Sequence, residues 1–136
     1  DGLRERLAVL GARLLVDALN GGLSAPVPQE GIATYAHKVH RADLVLEWDR
    51  SAMELERVVR VGGAWTTFRD GDLKVWSAEV VEEVVPGPPG SMVGDLVATG
   101  GGALRLLEVQ PASRARMGAS AWLGGARPVA DERLGG

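Results

Sequence analysis

A hairpin signal in the middle of the chain sets the strongest limit on its fold: Asp70-Gly71 within "GAWTTFRDGDLKVW". An Asp-Gly pair favours a tight turn, and the flanking stretches are rich in the β-branched and aromatic residues that strands prefer. We therefore predict strands over residues 64–68 and 73–85, joined across this turn. Two further short strands are predicted around the glycines at 100–102, which we interpret as another hairpin turn. Turns at such close intervals favour a small antiparallel barrel or sandwich, mainly β with short helices.

Two helices are predicted upstream of this hairpin. Residues 3–19 carry apolar side chains at the spacing of an amphipathic helix, and a Gly-Gly pair follows them. A second helix begins at Ser51, because Glu54 three residues later completes a capping box. The segment between the two helices contains prolines and no sustained periodicity, so we expect an extended connector. The tail "MGASAWLGGARPVADERLGG" predicts a short helix before a glycine-rich terminus that we expect to be frayed.

Charge limits the kinds of partner. The formal net charge is -3, and only two of the fifteen basic residues are lysines, Lys38 and Lys74. Nucleic-acid binders that work by bulk attraction are usually strongly basic, so such a contact here would need a local basic patch. Without cysteine, signal peptide or membrane-length apolar run, we expect a soluble, cytoplasmic protein with neither a membrane nor DNA as partner. The chain begins with Asp1, so we expect a fragment or a processed product.

The sequence contains no convincing catalytic or metal-binding constellation. His37 and His40, with Glu30 or Asp43 nearby, fit no closed ligand set, and we interpret the histidines as exposed polar residues. No serine lies in a G-x-S-x-G elbow, and the glycines at 100–102 precede a predicted strand rather than the helix that a phosphate loop needs. We therefore assign no catalytic residue and no metal ligand.

The four tryptophans are interpreted as core residues. Trp65 and Trp76 lie in the paired strands and Trp122 in the terminal helix, where burial is a simpler role than base stacking. Trp48 precedes the capped helix and is expected to pack back on the barrel.

Several motifs in a fixed order carry a family resemblance. They are "ATYAHKV", "EWDRSAMELERVVR", "GAWTTF", "LKVWSAEVV" and "LRLLEVQPASRARMGASAWLGG", of which the last is the most specific. Together they resemble the C-terminal part of the methionyl-tRNA formyltransferases, over nearly the whole chain. One departure is the short run from Arg60 through "VGG" to Ala64, where the family usually has a longer loop that contains proline.

The resemblance implies a division of the chain and a role for it. Residues 1–24 resemble the last helix of the family's catalytic domain, residues 25–42 its linker, and residues 43–136 its OB-like C-terminal barrel, which holds tRNA. The parent enzyme is implied to formylate the amino group of initiator methionyl-tRNA, with 10-formyltetrahydrofolate as co-substrate. The family's catalytic residues and folate-binding loop belong to the preceding domain, which no segment here matches. We therefore expect this chain to be inactive alone and to work with that missing N-terminal catalytic domain.

The resemblance also implies that some basic residues face the tRNA, since the planar fork of arginine matches phosphate oxygens. The candidates are Lys38, Arg41, Arg57, Arg60, Arg69, Lys74, Arg114 and Arg116. For each of them, a solvated or salt-bridged side chain is an equally good interpretation. Two other functions stay open: the barrel of another enzyme of the superfamily, such as a sugar-nucleotide formyltransferase or formyltetrahydrofolate dehydrogenase, and a stand-alone, non-enzymatic binding barrel.

Overall fold

The structure, a computed structural model, describes residues 2–129 and 132–136. The chain divides into two compact units between Ala36 and His37. The first unit contains helix α1, Gly2–Gly21, followed by a segment without regular secondary structure. The helix predicted over residues 3–19 is therefore confirmed. None of its described residues is buried, so its apolar stripe faces solvent.

Within the described residues, the second unit has a six-stranded antiparallel sheet, two α-helices and a short 3₁₀ helix. In chain order these are the 3₁₀ helix Arg41–Leu44, α2 Ala52–Val61, β1 Ala64–Phe68, β2 Gly71–Val81, β3 Met92–Val93, β4 Leu96–Ala98, β5 Ala103–Pro111, β6 Met117–Gly118 and α3 Ala119–Ala126. The strands lie in the order β1-β2-β5-β4-β3, and β6 pairs with β5. The predicted small, barrel-like, mainly β domain with short helices is confirmed.

Helix α2 begins where its capping box predicts. The Ser51 hydroxyl accepts a hydrogen bond from the Glu54 backbone N–H at 3.4 Å, and the Glu54 carboxylate accepts one from the Ser51 backbone N–H at 3.1 Å. The helix ends at Val61 and is capped by Gly62, whose φ of 95° is a conformation that glycine adopts without strain.

Strands β1 and β2 form the predicted hairpin, with Phe68 opposite Gly71 across the turn. β2 then pairs along its length with β5, up to Val81 opposite Ala103. The prediction that this strand continues to residue 85 is wrong. Its partner strand begins at Ala103, after the turn at 99–102, so the residues that follow Val81 have no strand with which to continue the ladder.

The core lies between the sheet and helices α2 and α3. Trp48 and Trp122 are both buried, as predicted, and the Trp122 ring meets Phe68 edge-on at 5.1 Å. The largest fully buried side chains are Leu46, Leu55, Thr66, Leu73, Val75, Val97, Leu104, Leu106 and Val109.

The glycines at 100–102 form the predicted turn between β4 and β5. The Gly100 N–H donates to the carbonyl oxygens of Trp48 at 2.8 Å and Arg50 at 2.9 Å. A Cβ at Gly100 would overlap the Asp49 carbonyl, so this close approach requires glycine. The turn therefore fixes the start of α2 against the sheet.

The expectation of a frayed C-terminus is wrong for residues 132–136. Leu134 is 2% exposed, and its N–H donates to the Gly90 carbonyl at 2.9 Å. The N–H of Gly135 donates to the Thr67 carbonyl, also at 2.9 Å. These contacts join segments distant in sequence, so local composition could not reveal them. No helix among the described residues is long and apolar enough to cross a membrane.

Candidate nucleic-acid interface

The outer face of the sheet carries two tryptophans on either side of a lysine. Alternation along β2 sends Leu73 and Val75 into the core, which leaves Lys74 and Trp76 on the opposite face. Lys74 is paired with Trp65 on β1 and with Gln110 on β5. We call Trp65, Lys74, Trp76 and Gln110 the tryptophan face. The prediction that Trp65 and Trp76 are core anchors is wrong, because both are partly exposed and the core side of β2 is filled by smaller apolar residues.

Arg41 covers the first of these tryptophans. Its guanidinium carbon lies 4.1 Å from the centroid of the Trp65 ring, within the range of a cation–π contact. The Trp65 indole N–H donates to the Arg41 carbonyl at 3.0 Å, which ties the 3₁₀ helix to β1. The Arg41 fork also donates to the Asp72 carboxylate at 2.6 Å. The guanidinium is thus held over the Trp65 ring, while the side chain remains largely exposed to solvent.

Arg116 covers the second tryptophan in the same way. Its guanidinium carbon lies 5.2 Å from the centroid of the Trp76 ring, and its fork pairs with the Glu108 carboxylate. Gln110 accepts the Trp76 indole N–H at 3.0 Å and donates to the Arg114 carbonyl at 2.8 Å. This chain of bonds ties the loop after β5 to the tryptophan face through the backbone of Arg114, an exposed residue.

Lys74 lies between the two arginine–tryptophan pairs. Its Nζ is 6.0 Å from the Trp76 ring centroid, at the outer limit of a cation–π contact. Among the residues the structure describes, no carboxylate oxygen lies within 4.0 Å of this ammonium. The tryptophan face therefore presents, within the described residues, one ammonium without a carboxylate partner, beside two guanidiniums that are each paired with one carboxylate.

Two other predicted residues lie on helix α2. Arg57 and Arg60 are on exposed parts of α2, where Arg57 touches the Met53 sulfur at 3.5 Å and Arg60 pairs with Glu56 at 3.3 Å. Lys38 is exposed in the segment before the 3₁₀ helix.

Arg69 has partners that suit a structural role. It donates to both carboxylate oxygens of Glu132, at 2.6 and 2.9 Å, and to the Ala126 carbonyl at 3.1 Å. The Arg69 fork is the main cause that lowers the pKa of the Glu132 carboxyl. Arg69 thus anchors the C-terminal segment to the hairpin.

The far end of the sheet is acidic. Arg105 on β5 donates to Glu79 at 2.7 Å and to Glu83 at 2.8 Å, and Asp95 lies 4.0 Å away. The hydrogen bond to Glu79 is the largest cause that raises the pKa of Arg105. The β2 register shifts between residues 75 and 78, and Glu79 lies beyond this irregularity, whereas Lys74 and Trp76 lie before it. Carboxylates outnumber cations in the cluster around Arg105, so this end of the sheet repels a polyanion.

The histidines of the connector do not form a metal site with their neighbours. Within residues 2–129 and 132–136, no three side chains of the metal-ligating types come together. The His40 backbone N–H donates to Asp43 at 2.8 Å, so this acidic side chain caps the 3₁₀ helix.

Sequence reasoning named three of the side chains that meet at the tryptophan face, Arg41, Lys74 and Arg116, but it missed their partners. The position of Trp76 could have indicated its face, because it lies two residues from Lys74 on β2 and alternate residues of a strand point to the same side. No local signal pointed to Asp72, Glu108 or Gln110, whose roles depend on pairing between strands.

Comparison with known proteins adds a family to this geometry. The family described as "Formyl transferase, C-terminal domain" matches residues 38–127. A methionyl-tRNA formyltransferase of Methylococcus capsulatus is 39% identical over an alignment of 145 positions, which includes 98% of this chain and 47% of the relative. One of Symbiobacterium thermophilum is 40% identical over an alignment of 139 positions, which includes 90% of this chain and 42% of the relative. The chain thus spans about half the length of the curated relatives it matches.

A solved structure supports the fold. A HypX variant from Aquifex aeolicus superposes with a TM-score of 0.64 at 18% identity, over 87% of this chain and 22% of that one.

Proposed function

Because the chain belongs to the formyl transferase C-terminal domain family, we propose that it is the tRNA-holding part of a methionyl-tRNA formyltransferase. In this proposal residues 43–136 are the binding barrel, residues 25–42 a linker and residues 1–24 the end of a catalytic domain. The division into compact units between Ala36 and His37 falls inside the proposed linker, which supports this arrangement.

The observation that carries the proposal is the tryptophan face. An acidic chain concentrates Lys74, Arg41 and Arg116 on one side of its sheet, and the loop that carries Arg114 is tied to Gln110 of the same face. Phosphate contacts from such groups position a nucleic acid without reading its sequence. This suits an enzyme that must hold a charged tRNA while chemistry occurs elsewhere.

The proposed reaction explains why holding matters. The parent enzyme transfers a formyl group to the amino group of initiator methionyl-tRNA, and we take 10-formyltetrahydrofolate as the donor. Correct placement of two reactants contributes much of the rate in such bimolecular transfers. The residues of this chain bind and orient the tRNA, while the donor and the reacting atoms lie on the catalytic domain.

The proposal is tested by tRNA binding at several salt concentrations. A face variant, Lys74→Ala with Arg114→Ala, should weaken binding and reduce the slope of log K against log salt by about 1 to 2, because up to two phosphate contacts are lost. Arg57→Ala with Arg60→Ala removes the same charge from α2 and serves as the matched control. We expect a smaller loss from this control.

Two outcomes would contradict the proposal in different ways. An equal loss in both variants would mean that only total charge matters and that the tryptophan face has no special role. No loss in the face variant, with thermal stability unchanged, would place the RNA contact elsewhere.

A further inference from the structure

The two arginines of the tryptophan face are held by the same three-part arrangement. Arg41 lies on the Trp65 ring and pairs with Asp72 from the neighbouring strand β2. The second half of the face has the same arrangement, formed by Arg116, Trp76 and Glu108. In both halves, a cation thus has an aromatic ring beneath it and a carboxylate at its edge.

The two supports differ in what happens when a phosphate arrives. An indole holds the plane of a guanidinium without using its N–H donors, so it can remain in place while the fork binds an anion. A carboxylate uses the same donors that a phosphate oxygen would use, since both are anionic acceptors that match the fork. Carboxylate and phosphate therefore compete for each arginine.

The carboxylate pairs are exposed enough to exchange. The side chains of Arg41 and Asp72 are 58% and 46% exposed, and those of Arg116 and Glu108 are 49% and 45% exposed. Ion pairs at such exposure contribute little to stability, so an incoming phosphate has only a small interaction to replace.

We propose that Asp72 and Glu108 are internal competitors of RNA phosphates that hold Arg41 and Arg116 in the free protein and release them to the RNA. This inference rests on the proposed function, because it assigns a role to the neighbours of the same arginines. Trp65 and Trp76 are positioning residues in this scheme: they keep each guanidinium on the face while its partner changes.

The test measures tRNA binding by Asp72→Asn and Glu108→Gln. Each variant should bind about two- to fivefold more tightly at low salt, the factor that corresponds to removing one exposed ion pair. The gain should shrink as salt rises, because screening weakens the internal competition. Asp70→Asn is the matched control: it makes the same change in net charge at an exposed turn residue, close in sequence to Asp72. We expect its effect on affinity to be smaller.

A second pair of variants tests the positioning role. Trp76→Leu should weaken binding because Arg116 loses its aromatic support, whereas Trp76→Phe should restore most of the affinity. A purely structural role would make affinity follow thermal stability in the two variants. Affinity that follows the presence of the ring at equal stability supports positioning.

Failure of this inference is distinguishable from failure of the proposed function. If Asp72→Asn and Glu108→Gln bind no more tightly than Asp70→Asn, while the Lys74 and Arg114 variant still weakens binding, the competition is overturned and the proposed function stands. If the Lys74 and Arg114 variant also binds normally, the RNA contact lies elsewhere, and the proposed role of the tryptophan face fails together with this inference.

Discussion

At the scale of single residues, the core depends on a buried hydrogen bond between side chains. Thr66 is 2% exposed, and its hydroxyl accepts the Trp48 indole N–H at 2.9 Å. Thr66→Val keeps the shape but leaves this donor unpaired, so the free energy of unfolding should fall by about 1–3 kcal/mol. Urea denaturation measures the loss. Thr67→Val is the control, since Thr67 is partly exposed to solvent and its hydroxyl donates only to the exposed Gly136 carbonyl at 3.2 Å, so we expect a change of about 0.5 kcal/mol or less. Equal losses would contradict the prediction.

The tryptophans show what residue type alone can predict. Trp48 and Trp122 are buried as expected, whereas Trp65 and Trp76 lie on the outer face of the sheet. Residue type alone does not decide which face of the sheet a tryptophan occupies, because side chains alternate between the two faces along a strand. Parity was visible in "LKVW", where leucine and valine alternate with lysine and tryptophan. The cations and carboxylates that meet at these rings come from other strands, so only tertiary structure reveals them.

At the scale of elements, the capping box of α2 makes its stability depend on pH. Hydrogen bonds from the Ser51 hydroxyl and backbone N–H, followed by one from Arg50, lower the pKa of Glu54. Because the pKa of Glu54 is lower in the folded state, its ionised carboxylate stabilises the fold at pH values above the ordinary glutamate pKa. This stabilisation is lost as the pH falls through the folded-state pKa. Glu54→Gln should therefore lose stability near neutral pH and show a flatter acid limb.

Thermal melts between neutral and acid pH test this cap. Ser51→Ala should cost about 1 kcal/mol by removing the hydroxyl that accepts the Glu54 N–H. Glu56→Gln, on the same helix but outside the capping box, is the control for the loss of one carboxylate. If Glu56→Gln flattens the acid limb as much as Glu54→Gln, the cap is not the cause.

Helix α1 is expected to be the least stable element of this chain. Its leucines at positions 7, 10 and 14 are exposed, and helices in proteins gain most of their stability from packing an amphipathic face, which these side chains do not do here. Its amides should exchange with solvent hydrogen before those of β2 and β5, whose inner residues are buried. Hydrogen exchange followed by mass spectrometry measures this order. Equal protection of α1 and the central strands would contradict it.

At the scale of the whole molecule, local signals predicted the elements better than their ends and contacts. The Asp70-Gly71 hairpin and the Ser51 cap depend on residues close in sequence, and both are confirmed. The end of β2 depends on where β5 begins, and the order of the C-terminal segment depends on Gly90 and Thr67. The charge distribution is likewise a tertiary property: a net charge of -3 conceals a cationic end and an acidic end of one sheet.

The last prediction concerns what the chain does without the rest of its proposed enzyme. If it only holds tRNA, the purified chain should not transfer a formyl group from 10-formyltetrahydrofolate to charged initiator tRNA. It should still inhibit a complete methionyl-tRNA formyltransferase when tRNA is limiting, because it sequesters the substrate. The variant Lys74→Ala with Arg114→Ala should inhibit less, since it lacks two cations of the proposed binding region. Formyl transfer is followed with increasing amounts of each chain, and excess tRNA should relieve the inhibition.

Turnover by the chain alone would contradict its proposed division of labour with the catalytic domain. Inhibition that excess tRNA does not relieve would show that the chain acts on the enzyme instead of the substrate.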